Sequence, residues 1–246
     1  MLEVLKKTYP FTASDIDCHR HLRLSALLSY MQNMATEHAV ILQVGGDKMI
    51  KEYGAVWMMA RLHLELMRPI RAQDEEIEIH TWHRGAGKST TVFRDFDLFV
   101  RGERVGEAVT SWVVVDMKER RLIKPDLIPE LVDSPKPERV KDITPRRVKM
   151  PAELQSKITR TVTYSDTDIN GHMNNTKYAD IACDVMSYDQ CTDQFITEVQ
   201  ISYLKESFPG DKLSILHTAE DCTHYICGRD TDGDSRFEIR IMTSLR

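Results

Sequence analysis

Apolar residues at positions 24, 27, 28, 31, 34, 35, 41 and 42 recur at the spacing of a helix with one broad apolar face. Residues 24–42 are therefore predicted to form a long amphipathic helix, closed by Gly45-Gly46. Strand-like stretches follow at Val56 to Leu66, Glu75 to His83, Thr90 to Val100 and Val105 to Asp116. Turn signals at Arg84-Gly85-Ala86-Gly87 and Arg101-Gly102-Glu103 separate them. The first half thus reads as strand, long helix and four strands. Between Asp133 and Ser156 the pattern breaks: Pro135, Pro137, Pro145 and Pro151 stand among basic residues, which predicts a linker. The second half repeats the first. It has strand-like 157–165, helix-like 175–191 with Tyr178, Ala182, Val185 and Met186 on one face, and strand-like 195–207, 212–218, 223–229 and 236–242.

Polar positions repeat as well. Thr12-Ala13-Ser14-Asp15-Ile16-Asp17-Cys18-His19-Arg20-His21 returns as Thr163-Tyr164-Ser165-Asp166-Thr167-Asp168-Ile169-Asn170-Gly171-His172, both spelling T-x-S-D-x-D-x-[HN]-x-H. An internal repeat at this spacing means two copies of one small domain. A second echo sets His80-Thr81 against His217-Thr218, and the offset between halves falls from 151 to 137. The second copy must therefore have a shorter helix and helix-to-strand connection. The expected domains are residues 1–133 and 157–246, joined by a linker over 134–156.

Composition adds exclusions. Charged residues at 29 % and hydrophobic ones at 41 % suit a folded globular protein rather than a disordered or collagenous chain. No apolar run is long enough for a membrane span and the start lacks signal-peptide order, so a cytoplasmic address and no membrane role are expected. Five cysteines without a C-x-x-C pair argue against a disulfide scaffold or a structural zinc site. A net charge of -5 argues against nucleic acid as a partner. Gly85-Ala86-Gly87-Lys88-Ser89-Thr90 ends like a phosphate-binding loop, but its first glycine would fall on Trp82 and a strand follows, so a hairpin turn is expected.

The chemistry concentrates in the second copy. If the motif is extended, side-chain alternation puts Asp168, Asn170 and His172 on one face. Gly171 allows a left-handed step, and Asn174 or Asn175 can cap the following helix, whose free amides could polarise a carbonyl oxygen. Glu206 stands near a strand end, whereas the corresponding first-half position is Pro69. In the first copy Asp15, Asp17, His19 and His21 invite a metal reading, but a strand-to-helix turn kept after duplication is the simpler expectation. Cys183 is expected to pack, and Leu27, Met31, Met34 and the 56–66 strand to be core.

Asp168-Ile169-Asn170-Gly171-His172-Met173-Asn174-Asn175 resembles the D-x-N-x-H-x-N-N signature of the acyl-acyl carrier protein thioesterases of plastids and bacteria. The similarity continues through Met31-Gln32-Asn33, Trp57-Met58-Met59-Ala60-Arg61, Thr81-Trp82, Gly87-Lys88, Ser111-Trp112-Val113-Val114-Val115-Asp116 and Arg120-Arg121-Leu122. It implies an α+β tandem hotdog fold, each half a curved antiparallel sheet around one helix, with the acyl pocket in the first half. It also implies hydrolysis of fatty acyl-acyl carrier protein to free fatty acid, ending chain elongation, without cofactor or metal. Carried over by position, the catalytic residues would be Asp168, Asn170, His172 and Glu206. Ser207 stands where plant members have cysteine, which removes a cysteine nucleophile there.

Two mechanisms follow: water activated by Glu206 with His172, or direct attack by Asp168. An acyl-CoA thioesterase on the same fold, and a non-catalytic acyl-thioester-binding or regulatory protein, are the alternatives. Acyl carrier protein is acidic, so the basic stretches Lys118-Glu119-Arg120-Arg121 and Arg146-Arg147-Val148-Lys149 are candidate docking patches. A monomer and a homodimer are both compatible with paired hotdogs in one chain.

Overall fold

The computed structural model describes residues 4–84, 89–132, 143–190 and 194–245. The first half runs β1 (Leu5–Pro10), α1 (Leu24–Ile41), α2 (Gly46–Tyr53), β2 (Ala55–Leu66), β3 (Glu76–His83), β4 (Thr91–Val100) and β5 (Glu103–Asp116), ending in β6 (Leu122–Ile123) and α3 (Pro129–Val132). The second half runs β7 (Gln155–Thr161), α4 (Lys177–Val185), β8 (Gln194–Tyr203), β9 (Lys212–Glu220), β10 (Thr223–Arg229) and β11 (Ser235–Leu245). The Gly85 to Lys88 turn lies outside the described residues.

α1 forms where its apolar spacing predicts and buries Leu24, Leu27, Leu28, Met31, Met34 and Ala35. Gly45-Gly46 does not close it. The chain turns at Gln43, which takes a left-handed φ of 62°, and Gly45 instead caps a second helix, α2. A Cβ at Gly45 would lie 2.8 Å from Val40 Cγ2, so the glycine lets α2 fold back against the end of α1. Asp47 in the first turn of α2, Lys51 in its last and left-handed Gly54 after it are ordinary helix-end signals on a short, polar segment.

The described strands form one eleven-stranded antiparallel sheet in the order β1-β3-β4-β5-β2-β8-β11-β10-β9-β7, with β6 beside β5. The halves meet at β2 and β8. There His63 pairs with Gln200, its own counterpart at the 137-residue offset, while Leu62 faces Ile201 and Leu64 faces Val199. A pseudo-twofold axis therefore passes between His63 and Gln200. Around it the sheet wraps α1 in one half and α4 in the other, which is the expected tandem hotdog. A continuous core joins the α1 face to Ile77, Ile79, Phe96 and Leu98, and the α4 residues Tyr178, Ile181 and Ala182 to Leu213, Ile215, Ile226 and Phe237. Each such fully buried side chain contributes about 1.5–3 kcal/mol of burial free energy.

The shift in offset has its cause in the helices: α4 has 9 residues where α1 has 18. Pro135, Pro137 and the rest of 133–142 fall outside the described residues. From Ile143 the chain runs without regular structure to β7 and is held against the second half. Ile143 and Val148 are buried, the Val148 amide donates to Ser202 Oγ at 3.0 Å, and Arg147 chelates Glu238 at 2.8 and 2.6 Å.

Candidate active site

The second copy of the motif is not an extended strand. Tyr164–Asp166 is a 3-10 turn capped by Thr163, whose amide and hydroxyl donate to Asp166 Oδ2 at 2.8 and 3.0 Å. A narrow hairpin follows. Thr167 bridges to Met173, the Asp168 amide donates to the His172 carbonyl at 3.0 Å, and the Gly171 amide donates to the Asp168 carbonyl. Asp168 Oδ1 accepts the Asn170 amide at 2.8 Å, and Gly171 turns the tip with φ 77°. Asp168 and His172 come together because a loop folds back, not because a strand alternates, and Asn170 lines the same cavity.

Within the loop His172 lies between two carboxylates. Its Nδ1 is 3.7 Å from Asp168 Oδ1 and its Nε2 is 3.8 Å from Glu206 Oε1. These separations exceed direct hydrogen bonds and suit contacts through a water or a substrate atom. Asn170 lies exposed at the tip. Glu206 is pinned from behind: Arg236 Nη1 donates to its carbonyl, and the amides of Leu204 and Lys205 donate to the Arg236 carbonyl at 2.9 and 3.1 Å. Its Oε2 receives Arg120 Nη2 at 3.4 Å, from the turn between β5 and β6 of the other half. The sequence placed Arg120 in a basic cluster and in the family resemblance but not beside Glu206, because 86 residues separate the partners.

Ser207, next to Glu206, is not part of this cluster. It is fully buried, its Oγ is 3.5 Å from the Tyr178 hydroxyl, and its carbonyl accepts the Met173 amide at 2.7 Å. The amides at the start of α4 are largely taken as well. Those of Thr176 and Lys177 bond to Asn174, through its Oδ1 and its carbonyl, so Asn174 closes the turn into α4, Thr176 rather than Asn174 or Asn175 stands at the N-cap, and those two donors are lost to an oxyanion. Cys183 packs against the core as expected, and burial pushes its thiol up to about 12, which keeps it protonated near neutral pH.

His172, Asn170 and Glu206 open onto a cavity of about 1080 Å³ that extends into the first half, along α1 at Gln32 and Thr36, the start of β2 at Trp57, Met58 and Met59, and Val92, Arg94 and Trp112 of the sheet. Met58 and Met59 are half-buried cavity lining rather than core, while Trp57 lines the cavity and also packs against the core. A register shift between Met59 and Arg61 bends β2 at this point. The first copy occupies the pseudo-equivalent position, and its cavity holds about 310 Å³. Asp15 accepts from Thr12, Asp17 Oδ1 accepts the His19 and His21 amides, and His19 Nε2 meets the Tyr188 carbonyl at 2.8 Å, so these residues shape a turn. Among the described residues no group of three or more His, Cys, Asp or Glu side chains could hold a metal ion.

Comparison with known proteins gives the geometry its relatives. The profile of the acyl-ACP thioesterase N-terminal domain matches residues 3–133 and that of the C-terminal domain residues 150–243. A chloroplastic dodecanoyl-[acyl-carrier-protein] hydrolase of Cinnamomum camphora is 23% identical over 87% of this chain and 59% of its own length. A palmitoyl-acyl carrier protein thioesterase of Cuphea hookeriana is 24% identical over 93% and 53% respectively. The chain thus spans little more than half the length of these relatives. Among solved structures, an acyl-ACP thioesterase from Bacteroides thetaiotaomicron superposes with a TM-score of 0.84 at 21% identity, covering 98% of both chains. The 12:0-ACP thioesterase of Umbellularia californica does so with a TM-score of 0.79 at 20% identity, covering 99% of this chain and 98% of its own. These share the fold, and the two profile matches together span most of the sequence. The chain belongs to the acyl-ACP thioesterase family.

Proposed function

We propose that the protein hydrolyses the thioester of a fatty acyl-acyl carrier protein to free acid and carrier thiol. The observation that carries this reading is an imidazole between two carboxylates at the mouth of a chain-sized cavity. In this mechanism Glu206, assisted by His172, takes a proton from a water that attacks the thioester carbonyl. Asn170 at the loop tip orients the carbonyl and donates to its developing charge, a role that the occupied amides of Thr176 and Lys177 do not fill. Asp168 holds the loop and the imidazole. The thiolate then leaves with little acid help, since a free thiol has a pKa of about 8.5. Asp168 suits orientation better than direct attack, because its Oδ1 is already bonded to the Asn170 amide. Single-turnover hydrolysis in heavy-oxygen water is expected to label the released acid, and label in Asp168 would overturn the water route.

The carrier would dock beside Arg120, whose turn also carries the exposed Lys118 and Arg121; Arg147 is instead engaged by Glu238. Charge reversal at Lys118 and Arg121 is expected to lower kcat/KM by about tenfold at low salt and less at high salt. The functional test is thiol release from acyl carrier protein and CoA thioesters of several chain lengths. Turnover of the carrier thioesters is expected; acyl binding without any thiol release would mean a binding protein.

A further inference from the structure

The cavity wall contributed by the first half is not wholly apolar. Arg94 on β4 is only 7% exposed, and that exposure is to the cavity. Its Nη1 donates to His38 Nδ1 at 2.8 Å and to Thr81 Oγ1 at 3.3 Å. Both acceptors are neutral; accepting at Nδ1 requires His38 to carry its proton on Nε2. The adjacent carboxylate, Asp95, is chelated by Arg84 with two bonds of 2.7 Å. His83, on the same wall, is uncharged near neutral pH, because burial first and then the Arg94 charge push it down to about 4. Burial lowers Arg94 itself to about 10, with Asp95 opposing, so the guanidinium stays charged.

A guanidinium has five N–H donors in a fixed fork. Among the described residues, those on Nε and Nη2 of Arg94 meet no acceptor. Elsewhere in the lining of the same cavity, Gln32 Oε1 is buried without a partner among the described residues. Packing plain methylenes against a desolvated charge is unfavourable, whereas an acceptor oxygen there would form charge-assisted hydrogen bonds.

We propose that the first-half end of the cavity recognises an acyl chain that carries an oxygen acceptor, as hydroxyl, keto or carboxylate, with Arg94 as the recognising side chain and Gln32 as a second polar group of the same cavity. The oxygen would sit well along the chain. β4 stands three strand positions from β8, whose end leads to Glu206, and that is about 14 Å at ordinary inter-strand spacing. This assignment rests on the proposed thioester hydrolysis and names its substrate class.

The test compares kcat/KM for acyl carrier protein thioesters of equal carbon count with plain, hydroxylated, keto and terminal-carboxylate chains. The parent protein is expected to prefer at least one oxygenated class by about tenfold or more. A best carboxylate indicates charge pairing and a best hydroxyl or ketone indicates neutral hydrogen bonding; both support the proposal. Equal or better turnover of every plain chain overturns it. Arg94→Leu is expected to erase the preference, and Gln32→Leu, on a half-buried helix position, to reduce it if the Arg94 variant does not fold. If no thioester is cut, the hydrolysis reading fails by itself. Calorimetric titration with free oxygenated and plain fatty acids then still decides the recognition: tighter binding of an oxygenated acid supports it, and equal binding overturns it.

Discussion

The two copies of the repeated motif have nearly the same hydrogen-bonded backbone. Asp17 and Asp168 each accept, on Oδ1, the amide two residues ahead, and their own amides donate to the carbonyls of His21 and His172. The bridge from Ile16 to Leu22 matches that from Thr167 to Met173, and the Leu22 amide bonds to Ile70 as the Met173 amide bonds to Ser207. What differs is what surrounds the hairpin. One copy has Glu206 and a cavity of about 1080 Å³; the other has Pro69, a histidine turned onto the Tyr188 carbonyl and about 310 Å³. Much of the repeated signature therefore specifies a turn, and the proposed chemistry belongs to the few positions that are not shared.

The sharpest separation between the copies is expected in activity. Glu206→Gln should lower kcat on an acyl-acyl carrier protein thioester by about 10²- to 10⁴-fold, the range for loss of a general base. Its folding stability should change little, because the backbone of Glu206 is held by Arg236.

Stability should separate the copies next. Asp166 is buried and accepts from Thr163 and from Arg160 at 2.5 Å, whereas Asp15 is half-buried and capped by Thr12 without an arginine. Asp166→Ala is expected to cost about 1.5–3 kcal/mol and Asp15→Ala about 1 kcal/mol, read from urea unfolding. Burial opposes ionisation of Asp166, but the Thr163 amide and Arg160 outweigh it and hold the carboxyl below its usual range. The associated stability is thus fully present above the unfolded value of about 3.9 and is lost as pH falls through the lower folded value. Acid unfolding of the Asp166 variant should show a smaller loss across that interval than the parent.

Smaller effects belong to the loop tips. Gly171 has φ 77° and its counterpart Arg20 has φ 63°, so the second copy uses glycine where the first tolerates a side chain. Gly171→Ala meets open space, and its expected cost of about 1 kcal/mol is purely that of the left-handed backbone. Ser207→Cys should change kcat by no more than about threefold, a sub-kilocalorie effect, since the side chain is fully buried against Tyr178 and does not line the cavity. A large rise would mean that a thiol there reaches the substrate.

The halves, α1 and most strands were legible because period and turn residues acted locally, as at Leu24 to Ala35 and Arg101-Gly102. α2 escaped because Gly45-Gly46 reads as an ending, and only contact with Val40 shows that it begins a helix. The motif was misread as extended because alternation and a tight hairpin both bring Asp168 and His172 to one side. Arg120 beside Glu206 and Arg94 in the cavity wall were not legible at all. Both depend on strand order, which places residues far apart in sequence around one space.

The central claim is a single working site in a duplicated fold. It is tested most directly by single-turnover thiol release from one acyl-acyl carrier protein thioester, comparing the parent with Glu206→Gln and with His19→Asn. The account predicts a loss of at least about 10²-fold for Glu206→Gln and an unchanged rate for His19→Asn. Parent-like release by the Glu206 variant, or an equal loss in both, would contradict it.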